Sequence, residues 1–232
     1  MNIQNYSDFV KALLDCGFSL GGGSGQGIFS LITWDWKEEP PYDTPVRWHT
    51  GDPGTDPWEW RIRVLEERDD IAYGKVFFKK SGYISKEWYP YFLAARRGKM
   101  SFAEKYEEGG ASPWAKRIYQ VLQEEDAVPL HSLKKLAGFS GEEKSQFERA
   151  LVELQMGLFI TMCGRQQKIS QAGAEYGWSS TVFCVTERFW DGRVFSDALK
   201  IREQEAIDKI AGQVYRLNPQ AQMKKVLKFI KG

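Results

Sequence analysis

A loop rich in proline, glycine and aspartate holds the residues with the clearest potential for acid–base chemistry. His49 lies close in sequence to Asp52 and Asp56, so an imidazole and a carboxylate could meet there and transfer a proton. Asp56 also precedes Pro57 and has Glu59 three residues on, which predicts an N-cap followed by the first turn of a helix. Because capping already accounts for Asp56, we expect this loop to be structural, and the sequence contains no catalytic motif that we can identify.

The histidines and cysteines predict no metal centre, and no cofactor site is expected. The two histidines, His49 and His131, have no cysteine near them in sequence, which is unlike zinc-ligand spacing. The three cysteines, Cys16, Cys163 and Cys184, lack CxxC spacing, which favours free thiols in a reducing cytoplasm. The last two fall in neighbouring predicted strands, so a disulfide between them is the less favoured alternative.

The formal net charge of +1 conceals a strong separation of charge along the chain. Residues 1–72 contain 6 Lys and Arg against 13 Asp and Glu, whereas residues 73–99 contain 7 against 1. Residues 193–232 contain 9 against 4. Charge separated in this way can steer a polyanion to one face of a protein. Solvated helix faces are the alternative interpretation.

The basic block 73–99 is also rich in aromatic residues, with eight Phe, Tyr and Trp. Aromatic faces stack on unpaired bases, at about 1–3 kcal/mol per base, while cations neutralise phosphates. Any single ring is expected in the core, since aromatic residues dominate small-domain packing. The cations are rarely buried unpaired, so the block predicts nucleic-acid contacts by Lys79, Lys80, Arg96 and Arg97.

Residues 112–186 carry the most informative pattern, which is three helices followed by two strands. Ser112-Pro113 predicts the first helix start, because serine caps free N–H groups and proline fits the first helical position. The second helix is expected over 130–137, with its three leucines buried and a glycine after its end. The third is expected after Ser140, with Glu143 as its capping-box partner.

Two strand-like runs follow, Phe159 to Cys163 and Thr181 to Val185, joined by the polar link Gly164 to Ser180. Three helices and a hairpin with a long tip are typical of a winged helix-turn-helix, which mostly serves nucleic-acid binding. The predicted contacts are Lys144 and Arg149 on the third helix and Arg165, Gln167 and Lys168 on the hairpin link. The third helix also carries several glutamates, so a protein-interaction module stays open as an alternative.

The whole chain is expected to have an α+β fold of winged helix-turn-helix units with C-terminal helices. Three domains are predicted: an N-terminal α+β domain over 1–110, a winged helix-turn-helix over 111–192 and a helical segment over 193–232. An alternative description of the first domain is a degenerate winged helix, with helices over 58–68 and 86–97. No apolar run approaches the roughly 18 residues of a membrane span. The acidic N-terminus lacks a basic leader, so a cytoplasmic location is expected.

Four segments between His49 and Gly232 resemble the bacterial proteins known as AlkZ-related. These segments are HTGDPGTDPWEWRIRVLEE, AYGKVFFKKSGYISKEWYPYFLAARRG, ALVELQMGLFITMCGRQQK and YGWSSTVFCVTERFW. A more distant similarity connects them to AlkZ/YcaQ-type DNA glycosylases, which are built from tandem winged helices. The resemblance implies DNA as the partner and tandem units as the fold. It transfers no catalytic residue, since the glutamine-centred motif of those enzymes has no convincing copy here.

The leading hypothesis is a DNA-binding winged-helix protein with a role in regulation or DNA damage. The alternatives are an AlkZ-like glycosylase acting on alkylated bases and a winged-helix module that binds another protein. In the leading hypothesis the nine predicted contacts gather beside the hairpin tip and grip a phosphate chain. The oligomeric state, the preferred DNA and any catalysis are not predicted.

Overall fold

The computed structural model describes residues 2–33, 38–169 and 175–232. In these parts the chain forms a mixed α and β fold with eleven α-helices and one six-stranded antiparallel sheet. The expectation of an α+β protein is confirmed at this level. None of the described helices is long and apolar enough to cross a membrane.

Within the described residues, each half of the sheet is formed by a helix, a short strand, one or two further helices and a hairpin; the third and fourth helices separate the two halves in the chain, and four helices follow the second hairpin. The α-helices are α1 (Tyr6–Cys16), α2 (Pro57–Glu67), α3 (Tyr89–Arg96), α4 (Phe102–Glu107), α5 (Pro113–Glu124), α6 (Leu130–Leu136), α7 (Lys144–Met156), α8 (Thr186–Phe189), α9 (Gly192–Ala198), α10 (Glu203–Leu217) and α11 (Met223–Lys231). The strands are β1 (Phe18–Leu20), β2 (Ile71–Phe77), β3 (Lys80–Ser85), β4 (Val128–Pro129), β5 (Ile160–Ile169) and β6 (Glu175–Val185).

The sheet order is β1-β3-β2-β5-β6-β4. Read inward from either edge, a short strand is followed by the second strand and then the first strand of a hairpin. Two hairpins, β2/β3 and β5/β6, lie side by side and meet where Tyr73 pairs with Met162. A short strand then flanks each hairpin, β1 beside β3 and β4 beside β6. Each short strand follows a helix, α1 or α5, so the two halves of the sheet have matching connections.

Two of the predicted helix starts are confirmed by their caps. The Asp56 side chain accepts the Trp58 N–H at the start of α2, and the Ser112 hydroxyl accepts the Ala115 N–H at the start of α5. Ser101 and Glu104 form a full capping box on α4. These caps depend on side chains within three residues of the N–H groups that they satisfy, so the local sequence is enough to find them.

The start of α7 differs from the prediction. The Ser140 N–H donates to the Glu143 carboxylate at 2.7 Å, which is half of the expected capping box. Residues 141–143 form a turn instead of helix, and α7 begins at Lys144. The Glu143 carboxylate also forms an ion pair with Arg117 on α5. This tertiary contact explains why Glu143 remains outside the helix.

The second predicted helix, α6, does not bury all three of its leucines. Leu133 is fully buried, but Leu136 is 55% exposed. At 100° per residue, a side chain six positions after Leu130 points about 120° away from it. The prediction of three inward leucines was therefore wrong for the last one.

The helix expected over 86–97 is shorter, since α3 begins at Tyr89. Pro90 then falls in the first turn, where its missing N–H has no helical partner to lose. Ser85 ends β3 and is buried. At the C-terminal end, residues 199–202 separate α9 from α10, and a second break near Asn218 separates α10 from α11.

The hairpin β5/β6 extends well beyond the two predicted runs, into the link that joins them. The hairpin tip, residues 170–174, lies outside the described residues. Cys163 lies at an irregularity in the pairing between Met162 and Gly164, and interaction with the Cys184 side chain is the main cause that lowers the pKa of Cys163. Cys163 and Cys184 are free thiols, as the favoured interpretation predicted.

Hydrophobic contacts connect the segments that we predicted as domains. One core cluster joins α1, α2 and β2 to α5, α7 and β5, and a second joins β1, β3 and α3 to the C-terminal helices. In the second cluster, the rings of Phe77 and Phe229 are stacked with centroids 4.1 Å apart. The three-part division therefore stays a prediction about folding units.

Candidate nucleic-acid interface

A cleft of about 1070 Å³ runs along the outward face of α7. Eight Lys and Arg residues line this α7 cleft, against two glutamates and one histidine. The basic residues are Lys75, Lys79, Arg96, Lys105, Lys134, Lys144, Arg149 and Lys231. A cleft lined mainly by one sign of charge focuses the electrostatic potential and raises the local concentration of oppositely charged ligands.

The outer end of the α7 cleft is formed by the start of α7 and by α6. Lys144 and Arg149 are exposed on α7, and Lys134 faces them from α6. The Arg149 guanidinium donates to the carbonyl and hydroxyl oxygens of Ser145 in its own helix. Two predicted contacts, Lys144 and Arg149, therefore lie together in one cleft.

Two glutamates of the α7 region contact other parts of the protein. Glu143 is paired with Arg117, and Glu153 accepts the Ser112 N–H at 2.8 Å. Glu148 is exposed and lies 3.9 Å from Lys144, a distance at which an exposed pair contributes little. Glu148 and Glu153 are thus two carboxylates against eight Lys and Arg in the cleft lining, so positive charge dominates there.

The inner end of the α7 cleft lies at the other end of the helix, where Lys75, Lys79, Arg96, Lys105 and Lys231 line it. The Lys79 N–H contacts the Met156 sulfur at 3.4 Å, and the Lys75 N–H donates to the Gln155 side chain at 2.9 Å. These contacts fix the β2/β3 hairpin against the last turn of α7. A hairpin in the N-terminal half of the chain thus completes a cleft in the C-terminal half.

Arg96 belongs to the wall of the cleft, and carbonyl oxygens of the protein already accept most of its donors. Its guanidinium donates four hydrogen bonds, to the carbonyl oxygens of Val76, Met156, Phe229 and Ile230 at 2.7–3.0 Å. Burial lowers the pKa of Arg96 to about 9, so the group remains charged at neutral pH. Three of its acceptors lie at the ends of α7 and α11, where the helix dipole favours a cation.

Arg97 and Lys80 lie outside the α7 cleft, in contrast to the predicted cluster. Arg97 forms an ion pair with Glu187 at 2.7 Å and donates to the Leu158 carbonyl, and its side chain is only 10% exposed. These partners occupy donors of Arg97 within the protein, and its contact with a phosphate stays a prediction. Lys80 is exposed on β3 and is not among the residues that line the cleft, although its neighbour Lys79 is.

The hairpin β5/β6 offers less positive charge than the sequence suggested. Arg165 lies 3.0 Å from Glu66 and 3.6 Å from Glu59, both on α2, so its charge is balanced by two carboxylates. The Gln167 amide donates to the Gly177 carbonyl across the hairpin at 2.6 Å. Lys168 is half-buried in β5 opposite Tyr176. The expectation that all nine contacts gather beside the hairpin tip is therefore corrected, since the cations collect along α7.

Four cations of the cleft were missed at the level of sequence: Lys75, Lys105, Lys134 and Lys231. Lys75 belongs to the basic block 73–99 and Lys231 to the basic C-terminal segment, so charge counting pointed to their regions. It could not select them, because their convergence depends on the packing of α11 and β2 beside α7.

The loop with acid–base potential is a structural element. The Asp56 carboxylate is fully buried and accepts the N–H groups of His49, Gly51 and Trp58 at 2.8–3.0 Å. A hydrogen bond from the Thr55 hydroxyl is the main cause that lowers the pKa of Asp52, and the Gly54 N–H adds to it. Within the described parts of the chain, no group of three or more His, Cys, Asp or Glu residues could hold a metal ion.

The comparisons with known proteins give one match. No curated protein and no solved structure shows a significant match to this chain. A family model described as AlkZ related matches residues 3–231, which is nearly the whole chain. The chain therefore belongs to the AlkZ-related family.

Proposed function

We propose that this protein binds DNA through the α7 cleft, using two winged-helix units. The observation that carries the proposal is the excess of eight Lys and Arg over two glutamates among the side chains that line the cleft beside α7. DNA is a polyanion whose binding depends on neutralised phosphates. Family membership supports DNA as the partner, because the relatives for which the family is named act in DNA repair.

The second half of the sheet supports a winged-helix unit. The order α5-β4-α6-α7-β5-β6 is that of three helices with a short strand after the first and a hairpin after the third. The short strand β4 pairs with β6, so it completes a three-stranded sheet with the hairpin. In this interpretation α7 is the recognition helix, and its exposed side faces the major groove.

The first half supports a degenerate copy of the same unit. The order α1-β1-α2-β2-β3, with β1 beside β3, matches the second half except that the short 3₁₀ turn Gly25–Gly27 stands where α6 would be. The last residue of α2, Glu67, is four residues before Ile71 of β2, and Met156 of α7 is four residues before Ile160 of β5. Equal spacing and palindromic strand order favour two related units.

The two units differ in the charge around their third helices. In the first unit, Glu59 and Glu66 of α2 pair with Arg165, whereas α7 faces a basic cleft. We therefore assign DNA binding to the second unit and a supporting role to the first.

Fluorescence anisotropy with a labelled DNA duplex, titrated at several salt concentrations, tests the proposal. We expect the logarithm of the binding constant to fall linearly with the logarithm of salt concentration. In the K144Q/R149Q variant the salt slope should decrease by about 2, because each lost phosphate contact removes about 0.9. The K11Q/K200Q variant removes two exposed cations outside the cleft and should bind like the wild type. Equal weakening in both variants, or binding without a salt slope, would contradict the proposal.

A second candidate function is excision of alkylated bases, and family membership is the observation that favours it. It is tested by incubating alkylated DNA with the protein and measuring free base. Release by the wild type and not by K144Q/R149Q would assign this activity to the cleft. Binding of DNA without release would leave recognition as the function.

A further inference from the structure

We propose that the inner end of the α7 cleft is a phosphate-binding subsite in which Arg96, Lys79, Lys105 and Lys231 together hold one phosphate group. That this phosphate belongs to a nucleic-acid strand rests on the proposed function. The subsite itself is argued from the charges and hydrogen bonds of the cleft wall.

The first observation is that Arg96 carries a charge without an acidic partner. Its four hydrogen bonds all go to neutral carbonyl oxygens, and no carboxylate of the described residues forms an ion pair with it. A guanidinium has five N–H groups, so one remains beside the cleft that Arg96 lines. The carbonyls satisfy its donors and leave its positive charge in place, which favours an anion nearby.

The second observation is that further cations share this end of the cleft with little compensation. Among the described ion pairs, Lys231 is paired with Glu203, and Lys75, Lys79 and Lys105 have no such partner. Burial is the main cause that lowers the pKa of Lys105, and the charge of Arg97 adds to it, while Glu153 opposes both. These cations line the same cleft as Arg96, and an anion bound there would balance their charge.

The third observation is the strained turn that holds Lys79 in the cleft. Phe78 and Lys79 have φ angles of 51° and 62°, in a two-residue turn between the paired residues Phe77 and Lys80. Turns with two positive φ angles usually contain Asn and Gly, and for an aromatic residue this conformation is an outlier. The ring of Phe78 lies 6.0 Å from that of Phe229, and the Lys79 N–H contacts Met156, so packing maintains the strain. The turn therefore holds Lys79 in a fixed position beside the cleft.

The chemistry of these groups matches a phosphate. Guanidinium and ammonium groups are donors only, and the ionised oxygens of a phosphate are strong acceptors. Arginine binds phosphate through its planar set of N–H groups, and lysine supplies a point charge. The source could be a backbone phosphate or a small phosphorylated molecule, and the experiment has an arm for each.

Thermal unfolding in the presence of inorganic phosphate tests the subsite, with sodium chloride of equal ionic strength as the reference. We expect phosphate to raise Tm along a one-site saturation curve for the wild type. The same rise should occur in K144Q/R149Q, which loses two charges from the outer end. It should be absent in K79Q/K105Q, whose Tm in sodium chloride should not fall below that of the wild type, because neither lysine has an ion-pair partner among the described residues. Arg96 is left unchanged, since its four carbonyl bonds support the fold.

No saturable rise for the wild type, or an equal rise in K79Q/K105Q, would overturn the subsite. Lower stability of K79Q/K105Q in sodium chloride would also overturn it, since the lysines would then be structural. Competition separates the two sources: a DNA duplex that suppresses the phosphate-dependent rise supports the backbone, and suppression by a nucleoside monophosphate alone supports a small ligand. DNA binding without a phosphate response leaves the proposed function intact, whereas a phosphate response without DNA binding removes only that function.

Discussion

At the residue scale, Asp56 organises the loop between the first strand and the second helix. It is a buried carboxylate whose two oxygens accept three backbone N–H groups. Two of these come from His49 and Gly51 in the loop, and the third comes from Trp58 in the first turn of α2. One side chain therefore both caps α2 and fixes the approach to it.

We expect Asp56→Ala to destabilise the protein by about 2–4 kcal/mol, because it removes a helix cap and leaves buried N–H groups without acceptors. Asp56→Asn should cost less, since its amide oxygen can still accept from His49 and Trp58. Urea denaturation measures both effects. The exposed Asp43→Ala is the control and should change stability by less than about 0.5 kcal/mol. An unchanged midpoint for Asp56→Ala would refute this role.

Glu143 makes the stability of the protein depend on pH. The Ser140 N–H is the main cause that lowers the pKa of Glu143 below its ordinary 4.5, and Arg117 adds to this shift. A carboxylate with a lowered pKa in the folded state binds its proton more readily when unfolded. Its stabilising effect is therefore present above pH 4.5 and is lost as the pH falls through the folded-state pKa.

We predict that Glu143→Gln will flatten the dependence of Tm on pH below about pH 4.5 relative to the wild type. The neighbouring exposed residue Glu142 provides the matched control, and Glu142→Gln should follow the wild-type profile. Thermal melts across the acidic range measure this difference. Parallel profiles for Glu143→Gln and the wild type would show that the contact with Ser140 and Arg117 does not persist in solution.

At the element scale, the hairpin β5/β6 and the helix α2 are joined by charge. Arg165 on β5 reaches Glu59 and Glu66 on α2, so the hairpin is connected to the first half of the chain. The sequence suggested that Arg165 would meet a nucleic-acid backbone. The structure gives it two carboxylates instead, which α2 places beside β5.

We expect Arg165→Gln to leave the salt slope of DNA binding unchanged, because its charge is already balanced within the protein. Stability should decrease by no more than about 1 kcal/mol, as is typical of exposed ion pairs. Anisotropy and urea denaturation measure the two quantities. A decrease of the salt slope by about 1 would instead make Arg165 a phosphate contact.

At the scale of the whole molecule, α11 closes the fold and completes the cleft. Phe229 is buried between Phe77, Phe92 and Phe18, with ring centroids 4.1–5.9 Å away. The same helix supplies Lys231 to the α7 cleft and two carbonyl oxygens to Arg96. Packing of the C-terminal helix and assembly of the inner end of the cleft are therefore coupled.

We predict that Phe229→Ala will destabilise the protein by about 3–5 kcal/mol, as is typical for a buried phenylalanine. Met223 on the same helix is 69% exposed, and Met223→Ala should have an effect within about 0.5 kcal/mol. Circular dichroism and tryptophan fluorescence should give coincident unfolding transitions, since the core crosses the predicted domain borders. Separate transitions for the two probes would indicate independent units.

Local sequence patterns determined the helix starts and the strand runs of this protein. Asp56, Ser101 and Ser112 cap N–H groups within three residues, and such short-range interactions can be read without knowledge of the fold. The order of helices and strands in the second half was predictable for the same reason. The capping of α7 was not, because Glu143 is also bound by Arg117, 26 residues away in the chain.

The sequence alone also determined that positive charge concentrates in the block 73–99 and near the C-terminus. Only the tertiary structure decided which of those cations share a surface. Arg97 and Arg165 form ion pairs with carboxylates on distant elements, whereas Lys75, Lys105 and Lys231 line the cleft beside α7. Charge depends on composition, but the distance between charges depends on packing, and electrostatic energy depends on that distance.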